Sequence, residues 1–147
     1  MSILVDTNLL SRIAAPLNPQ NPIAAESVKR LLLAGEKLCI VPQVIYEFWV
    51  VATRPIANNG LDMSTSQAKA QIDELRLVLD MLPDTADILP EWQRLVVDFD
   101  CKGKPAHDAR LVAAMNVHNI KQLLTFNLRD FTRYPGISTL DPNVIAK

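Results

Sequence analysis

Four short runs of apolar and β-branched residues punctuate the chain: Ile3–Val5, Leu38–Val41, Leu123–Thr125 and Ile137–Leu140. Within each run the apolar character is continuous rather than alternating, as in strands of a parallel sheet covered on both faces. Met81–Leu82, just ahead of Pro83, marks the start of a fifth strand. Between the runs the period lengthens to that of a helix. Ser64 and Gln67 have the spacing of a capping box, and Ala68, Ile72, Leu75, Leu79 and Leu82 follow at helical intervals. Asp84–Asp87 opens a further helical stretch whose apolar stripe is Trp92, Leu95, Val96 and Phe99. Pro105 suits a first helical position ahead of Leu111, Val112 and Met115. Turn residues gather at Pro16–Pro22, Asn58-Asn59-Gly60 and Pro135-Gly136. Strands separated by helices predict an α/β sandwich on a mostly parallel sheet.

At 147 residues, the chain is read as one domain over residues 1–147, with enough length for a substantial core. No apolar run has membrane-spanning length, and no basic segment precedes a longer apolar one as in a secretory signal. The two cysteines, Cys39 and Cys101, form no CxxC or Cys/His cluster and fit core thiols in a reduced cytoplasm. Net charge is −1, but it is unevenly spread. Residues 1–89 hold 7 Lys/Arg against 10 Asp/Glu, and residues 90–147 hold 8 against 6. A nucleic-acid ligand therefore has to find a local basic patch.

Several acids sit where packing alone does not place them. Asp6 directly follows Ile3-Leu4-Val5 at the end of a buried strand. In QVIYEFWVVATRP, Val44, Phe48 and Val51 form an apolar stripe and Glu47 shares its face. An inward glutamate needs a cation, a hydrogen-bond network or a metal; an ion pair with Arg54 or Arg110 is the plainest alternative. Asp108, in KGKPAHDARLVAAM, lies on the face of Leu111 and Val112, where it also meets the helix dipole favourably. Asp130, in LLTFNLRDF, could complete a capping box begun by Asn127, and Asp6 could cap the helix beginning near Asn8. In a parallel α/β sheet, however, strand C-termini and the starts of the following helices share one edge. Four acids on that edge repel one another unless a cation compensates. Oxygen ligands without His or Cys suit Mg²⁺ or Mn²⁺, and phosphodiester hydrolysis is the chemistry such a centre serves best.

With these residues assembled, the chain resembles the PIN-domain nuclease family, and within it the VapC-like toxins of toxin–antitoxin pairs. LVDTN carries Asp6 with Thr7 and Asn8, YEFWVVATRP carries Glu47, KPAHDARLVA carries Asp108, and LLTFNLRDF carries Thr125, Asn127 and Asp130. The resemblance implies a three-layer α/β/α sandwich and a magnesium- or manganese-dependent ribonuclease of RNA. Asp6, Glu47, Asp108 and Asp130 would hold the metal, with Thr7, Asn8, Thr125 and Asn127 supporting them. It also implies a small antitoxin partner and a homodimer. Many relatives carry a carboxylate where this chain has Asn127, which favours one well-bound ion over two.

RNA binding needs positive charge beside the acids. Lys102, Lys104 and Arg110 flank Asp108, Arg129 and Arg133 flank Asp130, and Arg54 closes the helix of Glu47. Basic groups of this kind set the register of phosphates without specifying bases. His107 reads as a structural neighbour rather than a general base, and Tyr46 and Trp49 as helix packing rather than base-stacking platforms. Other aspartate-based chemistries fit less well. A haloacid-dehalogenase-like phosphatase needs an acid at position 8, where this chain has Asn8, and a receiver domain needs an acidic pair near its first strand. With four glycines and no glycine-rich loop, a P-loop enzyme is excluded. A PIN-type module that binds without cleaving, or a nuclease of RNA processing or turnover, remains the alternative.

Overall fold

The computed structural model describes residues 1–147. Five parallel strands form one sheet: β1 (Ser2–Val5), β2 (Lys37–Ile40), β3 (Asp80–Met81), β4 (Gln122–Leu124) and β5 (Ser138–Leu140). Their order is β3-β2-β1-β4-β5. The strands fall on the five runs expected from sequence, the fifth as the short edge strand β3. Ile3 pairs with Leu38 on one side and Gln122 on the other, so β1 is the centre of the sheet. That position explains its unbroken apolar run. Ile3, Leu4 and Val5 are all buried, because helices cover both faces.

Seven helices complete the chain: α1 (Thr7–Ile13), α2 (Asn21–Leu33), α3 (Pro42–Thr53), α4 (Thr65–Leu75), α5 (Ile88–Asp98), α6 (Pro105–Val117) and α7 (Pro142–Ile145). α1 packs against α2 and α3, α4 against α3, and α7 against α2, while α5 and α6 form a separate pair. This is the α/β/α arrangement. None of the helices is long and apolar enough to cross a membrane.

Helix ends follow the local chemistry. The Ser64–Gln67 capping box is formed on both sides, at 3.1 and 2.9 Å. Pro22, Pro42, Pro105 and Pro142 each lie in a first turn, where a missing N–H costs nothing. α2 stops at Gly35, whose φ of 83° lets its N–H reach the Leu32 carbonyl and the Glu36 N–H reach that of Leu31. One expectation overshoots: the helical spacing through Leu79 and Leu82 outlasts α4, which ends at Leu75. Leu79 is still buried, but Leu82, just past the end of β3, donates its N–H to the carbonyl of Ile40, the last residue of β2. The apolar period therefore runs on from a helix face into a strand.

Candidate active site

Strand order reverses between β1 and β4, and the crevice at the carboxyl ends of such neighbours is where open α/β sheets place their chemistry. Asp6 follows β1 and Thr125 follows β4, and the Asp6 N–H bonds the Leu124 carbonyl at 3.0 Å. Both side chains are withdrawn from solvent, Asp6 at 9% exposure and Thr125 at 0%. The Thr125 hydroxyl donates to Asp6 Oδ2 at 2.8 Å and accepts from the Asn127 N–H at 3.0 Å and Asn8 Nδ2 at 3.2 Å. Asn8 Nδ2 also lies 3.4 Å from Asp6 Oδ2, and its carbonyl oxygen accepts the Phe126 N–H at 3.2 Å. On the other side, the Thr7 N–H donates to Asp6 Oδ1 at 2.7 Å. Asp6 is thus the N-cap of α1 as well as a cleft-facing carboxylate, so the two readings of it are compatible.

Glu47 comes from the middle of α3 and is held by neither of the arginines considered above. Its Oε1 accepts from the Thr7 hydroxyl at 2.8 Å, so Thr7 fixes Asp6 with its backbone and Glu47 with its side chain. Arg110 turns instead to Asp84 at 3.3 Å and Gln43 at 3.2 Å. Gln43 is buried one turn before Glu47 and donates to the His107 carbonyl at 2.9 Å. That amide ties the helix of Glu47 to the first turn of α6, next to Asp108. The His107 ring is exposed and lines the cleft without a hydrogen bond to any protein group, apart from its backbone carbonyl's role.

Asp6, Glu47, Asp108 and Asp130 all line one cleft of about 1210 Å³, with Thr7, Asn8 and Asn127. Thr125 lies behind them, beneath Asp6. None of the four carboxylates forms an ion pair with a lysine, arginine or histidine. Burial raises the Asp6 pKa from 3.8 to about 6 against the Thr125 and Thr7 hydrogen bonds, with Glu47 and Asp108 adding repulsion. Asp108 also rises to about 6, through burial and then repulsion from Asp130 and Glu47. The charge of Asp130 is thus felt within the group, although its side chain is exposed.

Asn127 departs from the capping expectation. It precedes a short 3₁₀ turn, Leu128–Phe131, without a side-chain cap; only the Asp130 N–H to Asn127 carbonyl contact, at 3.2 Å, links the two. Its φ of −97° and ψ of 62° carry the Asn127 N–H towards Thr125 instead.

The basic residues divide. Arg54, Lys104 and Arg110 line the cleft; Lys102, Arg129 and Arg133 do not. Lys102 pairs with Asp100 at 3.6 Å, and Arg133 reaches the Phe99 carbonyl at 3.4 Å. Arg12, in the last turn of α1, lines the cleft and went unnoticed in the sequence. A turn-by-turn projection of α1 from Asn8 would have found it, since Asn8 and Arg12 are four apart. Trp49 packs on the core as expected. Tyr46 does not: it is 65% exposed and lines the cleft. Its position directly before Glu47 turns it off the buried stripe.

The donor set fits a hard divalent cation. It is all oxygen, none of its carboxylates is in a direct ion pair, and two members are held near a pKa of 6 by burial and mutual repulsion. As they stand, no three Asp, Glu, His or Cys side chains converge closely enough to hold a metal ion.

Comparison with known proteins bears on this geometry. The family model described as PIN domain matches residues 3–137. The search of the curated proteins gives no match. Among solved structures, VapBC-1 from nontypeable Haemophilus influenzae aligns with TM-score 0.69 at 17% identity, over 97% of this chain and 98% of the other. VapBC2 from Rickettsia felis, bound to a DNA fragment from its promoter, gives 0.68 at 16% identity, over 96% and 100%. VapC20 of Mycobacterium tuberculosis, described as a sarcin–ricin loop cleaving toxin, gives 0.60 at 22% identity, over 82% and 86%. These likenesses are of fold.

Proposed function

The chain belongs to the PIN domain family, whose members are nucleases, and on that premise we propose that it is a magnesium- or manganese-dependent endoribonuclease, the toxin of a toxin–antitoxin pair. The observation that carries the proposal is a cleft at the sheet's switch point with four carboxylates and no cation paired to any of them, two having pKa values of about 6. A divalent ion held by Asp6, Glu47 and Asp108, with Asp130 at the edge, would supply activation of water and neutralisation of charge on the phosphate.

The chain's own residues do the positioning. Thr125 and the Thr7 N–H fix the two oxygens of Asp6, so it presents one orientation to the cleft. The Thr7 hydroxyl holds Glu47 in register with it. Gln43 sets α6, and with it Asp108, against the helix of Glu47. Arg54 and Lys104, at the same cleft, are placed to meet phosphate oxygens of an RNA strand. Arg129 and Lys102 remain outer candidates for strand contact, beyond the cleft.

The toxin part of the reading is supported by likeness of fold to VapBC complexes, and an antitoxin and a second copy of the chain are its proposed partners. The test is incubation of the purified protein with total RNA and Mg²⁺, followed by sequencing of the new ends, with Asp6→Asn as control. Discrete ends made by the wild type alone are expected. Equal cleavage by Asp6→Asn refutes the site. Growth arrest on expression, relieved by a small co-encoded protein, is expected of a toxin. Harmless expression of an active enzyme points to RNA processing or turnover instead.

A further inference from the structure

One cation of the cleft already has an anion. Arg12, Arg54 and Lys104 line the cleft and none of them pairs with a carboxylate. Arg110 lines it too, but its Nη2 lies 3.3 Å from Asp84 Oδ2. Asp84 is not part of the cleft wall. It belongs to the segment between β3 and α5, so it comes from the outer edge of the sheet. The acid that neutralises Arg110 therefore stands outside the cleft that the arginine serves.

The pair does little for the fold. Its side chains are 35% and 38% exposed, and an ion pair so placed adds little to stability. The elements it joins are fastened by other contacts. Trp92 Nε1 donates to the Ala106 carbonyl at 2.7 Å, and Asn116 Nδ2 donates to Glu91 at 2.8 Å, both between α5 and α6. His118 Nε2 lies 2.8 Å from the Pro83 carbonyl, so the segment of Asp84 is already held to the end of α6. The other arm of the guanidinium is fixed as well. Nη1 donates to Gln43 Oε1 at 3.2 Å, and Gln43 is buried and anchored on the His107 carbonyl. Arg110 is thus gripped by an amide that keeps its charge and an aspartate that cancels it.

From this geometry we propose that Asp84 is an internal stand-in for a phosphate: it occupies Arg110 in the free enzyme, withholds that contact from the RNA, and so sets how tightly the strand is held. The proposal rests on the ribonuclease reading above and adds to it a residue that tunes affinity. A carboxylate and a phosphate offer a guanidinium the same kind of acceptor oxygens, so the two compete for one site. A strand that reaches Arg110 must first break its pair with Asp84, and the cost offsets the gain. Contacts to Arg54 and Lys104 carry no such cost, since neither is paired. Asp84 therefore lowers affinity without touching any of the four carboxylates of the cleft.

The test measures binding of a short fluorescein-labelled RNA in the Asp6→Asn background, where nothing is cleaved. Adding Asp84→Asn should tighten binding roughly 2- to 5-fold, the worth of one part-exposed ion pair, mainly through slower dissociation. Log affinity should also fall more steeply with log salt, by about 0.7, as for one more phosphate met on a single strand. Asp84→Glu keeps the charge and should restore the looser binding. With Arg110→Gln also present, Asp84→Asn should change affinity less than about 1.5-fold at about 0.15 M salt, because no cation is left to release. Asp87→Asn removes the same charge from an acid without an ion pair and should leave affinity equally unmoved. With Asp6 intact, Asp84→Asn should lower KM and not raise kcat. Unchanged or weaker binding by Asp84→Asn overturns the proposal, weaker binding marking Asp84 as a support that orients Arg110 for the strand. An equal gain in the Arg110→Gln background, or from Asp87→Asn, overturns it too, since charge alone then accounts for the effect. Each of these results leaves the ribonuclease reading standing. Magnesium-dependent cleavage that persists in Asp6→Asn sinks that reading itself, a failure visible without any Asp84 variant.

Discussion

Replacing Asp6 by asparagine should make the metal-free protein more stable while ending its chemistry. The carboxyl is 9% exposed and its pKa lies near 6, against 3.8 for an unburied aspartate. Because the folded pKa is raised, its stability contribution is intact below about pH 4 and is lost as pH climbs through about 6. At about pH 7.5 the penalty is close to the full separation of roughly 2 pK units, or about 3 kcal/mol. Asparagine removes that penalty and keeps an oxygen for the Thr7 N–H. Its amide protons, however, would face a Thr125 hydroxyl that already accepts from Asn127 and Asn8. The net gain should therefore be about 1–3 kcal/mol, or roughly 2–10 °C in Tm for a domain of this size. The assay is thermal unfolding in chelator across a pH series. The advantage of Asp6→Asn should fall by about half near pH 5 and almost vanish near pH 4, because linkage removes the penalty as the carboxyl protonates. Adding Mg²⁺ at about pH 7.5 should raise the wild-type Tm and leave that of Asp6→Asn nearly unmoved, since only a site in the native state gains from the ion. A variant no more stable than wild type in chelator, or an advantage constant with pH, refutes the claim that Asp6 is held at a cost.

Three further outcomes follow from the same contacts. Cleavage rate at low Mg²⁺ should climb between about pH 5 and 7 as Asp6 and Asp108, both near 6, ionise, and saturating Mg²⁺ should move that rise to lower pH; a profile flat over that range contradicts it. Thr7→Val removes the 2.8 Å hydroxyl contact to Glu47 but not the N–H cap on Asp6, so Mn²⁺ affinity by calorimetry should drop about 5-fold, equivalent to ~1 kcal/mol, with little change in Tm. Gln43→Leu leaves the His107 carbonyl and one Arg110 donor without partners, and should cost about 1–3 kcal/mol in urea unfolding and lower kcat/KM as Asp108 loosens from Glu47.

Where the chain could be read without coordinates, the reason was local. Ile3-Leu4-Val5 and its counterparts are continuous apolar runs because both faces of the sheet are covered, and that pattern needs no knowledge of partners. The acids were legible because charge at the end of a buried run, or on an inward helix face, violates packing wherever it ends up. What settled their surroundings was contact between distant residues. Nothing near Glu47 in sequence announces that Thr7, forty positions away, will hold it rather than Arg54 or Arg110. Nothing near Arg110 shows that Asp84, twenty-six positions away, will draw it off. Tyr46 was misjudged because aromatic residues on a helix usually pack, and only the turn it occupies relative to Val44 and Phe48 exposes it. α2 was not singled out, since its stripe of Ala24, Val28 and Leu31 is short and follows a proline-rich approach.

The route from β4 to β5 passes through a 3₁₀ turn rather than a full helix, and this divides the site by its capacity to change. Asp6 and Thr125 are buried directly after the ends of β1 and β4, where any substitution is felt by the core. Asp130 and Asn127 are exposed on a turn that Phe131 alone anchors in the core. Inheritance can therefore experiment with the second pair, adding or removing charge at the mouth, while the first pair stays as it is. A nuclease built this way can acquire a new target without rebuilding the machinery that cuts it.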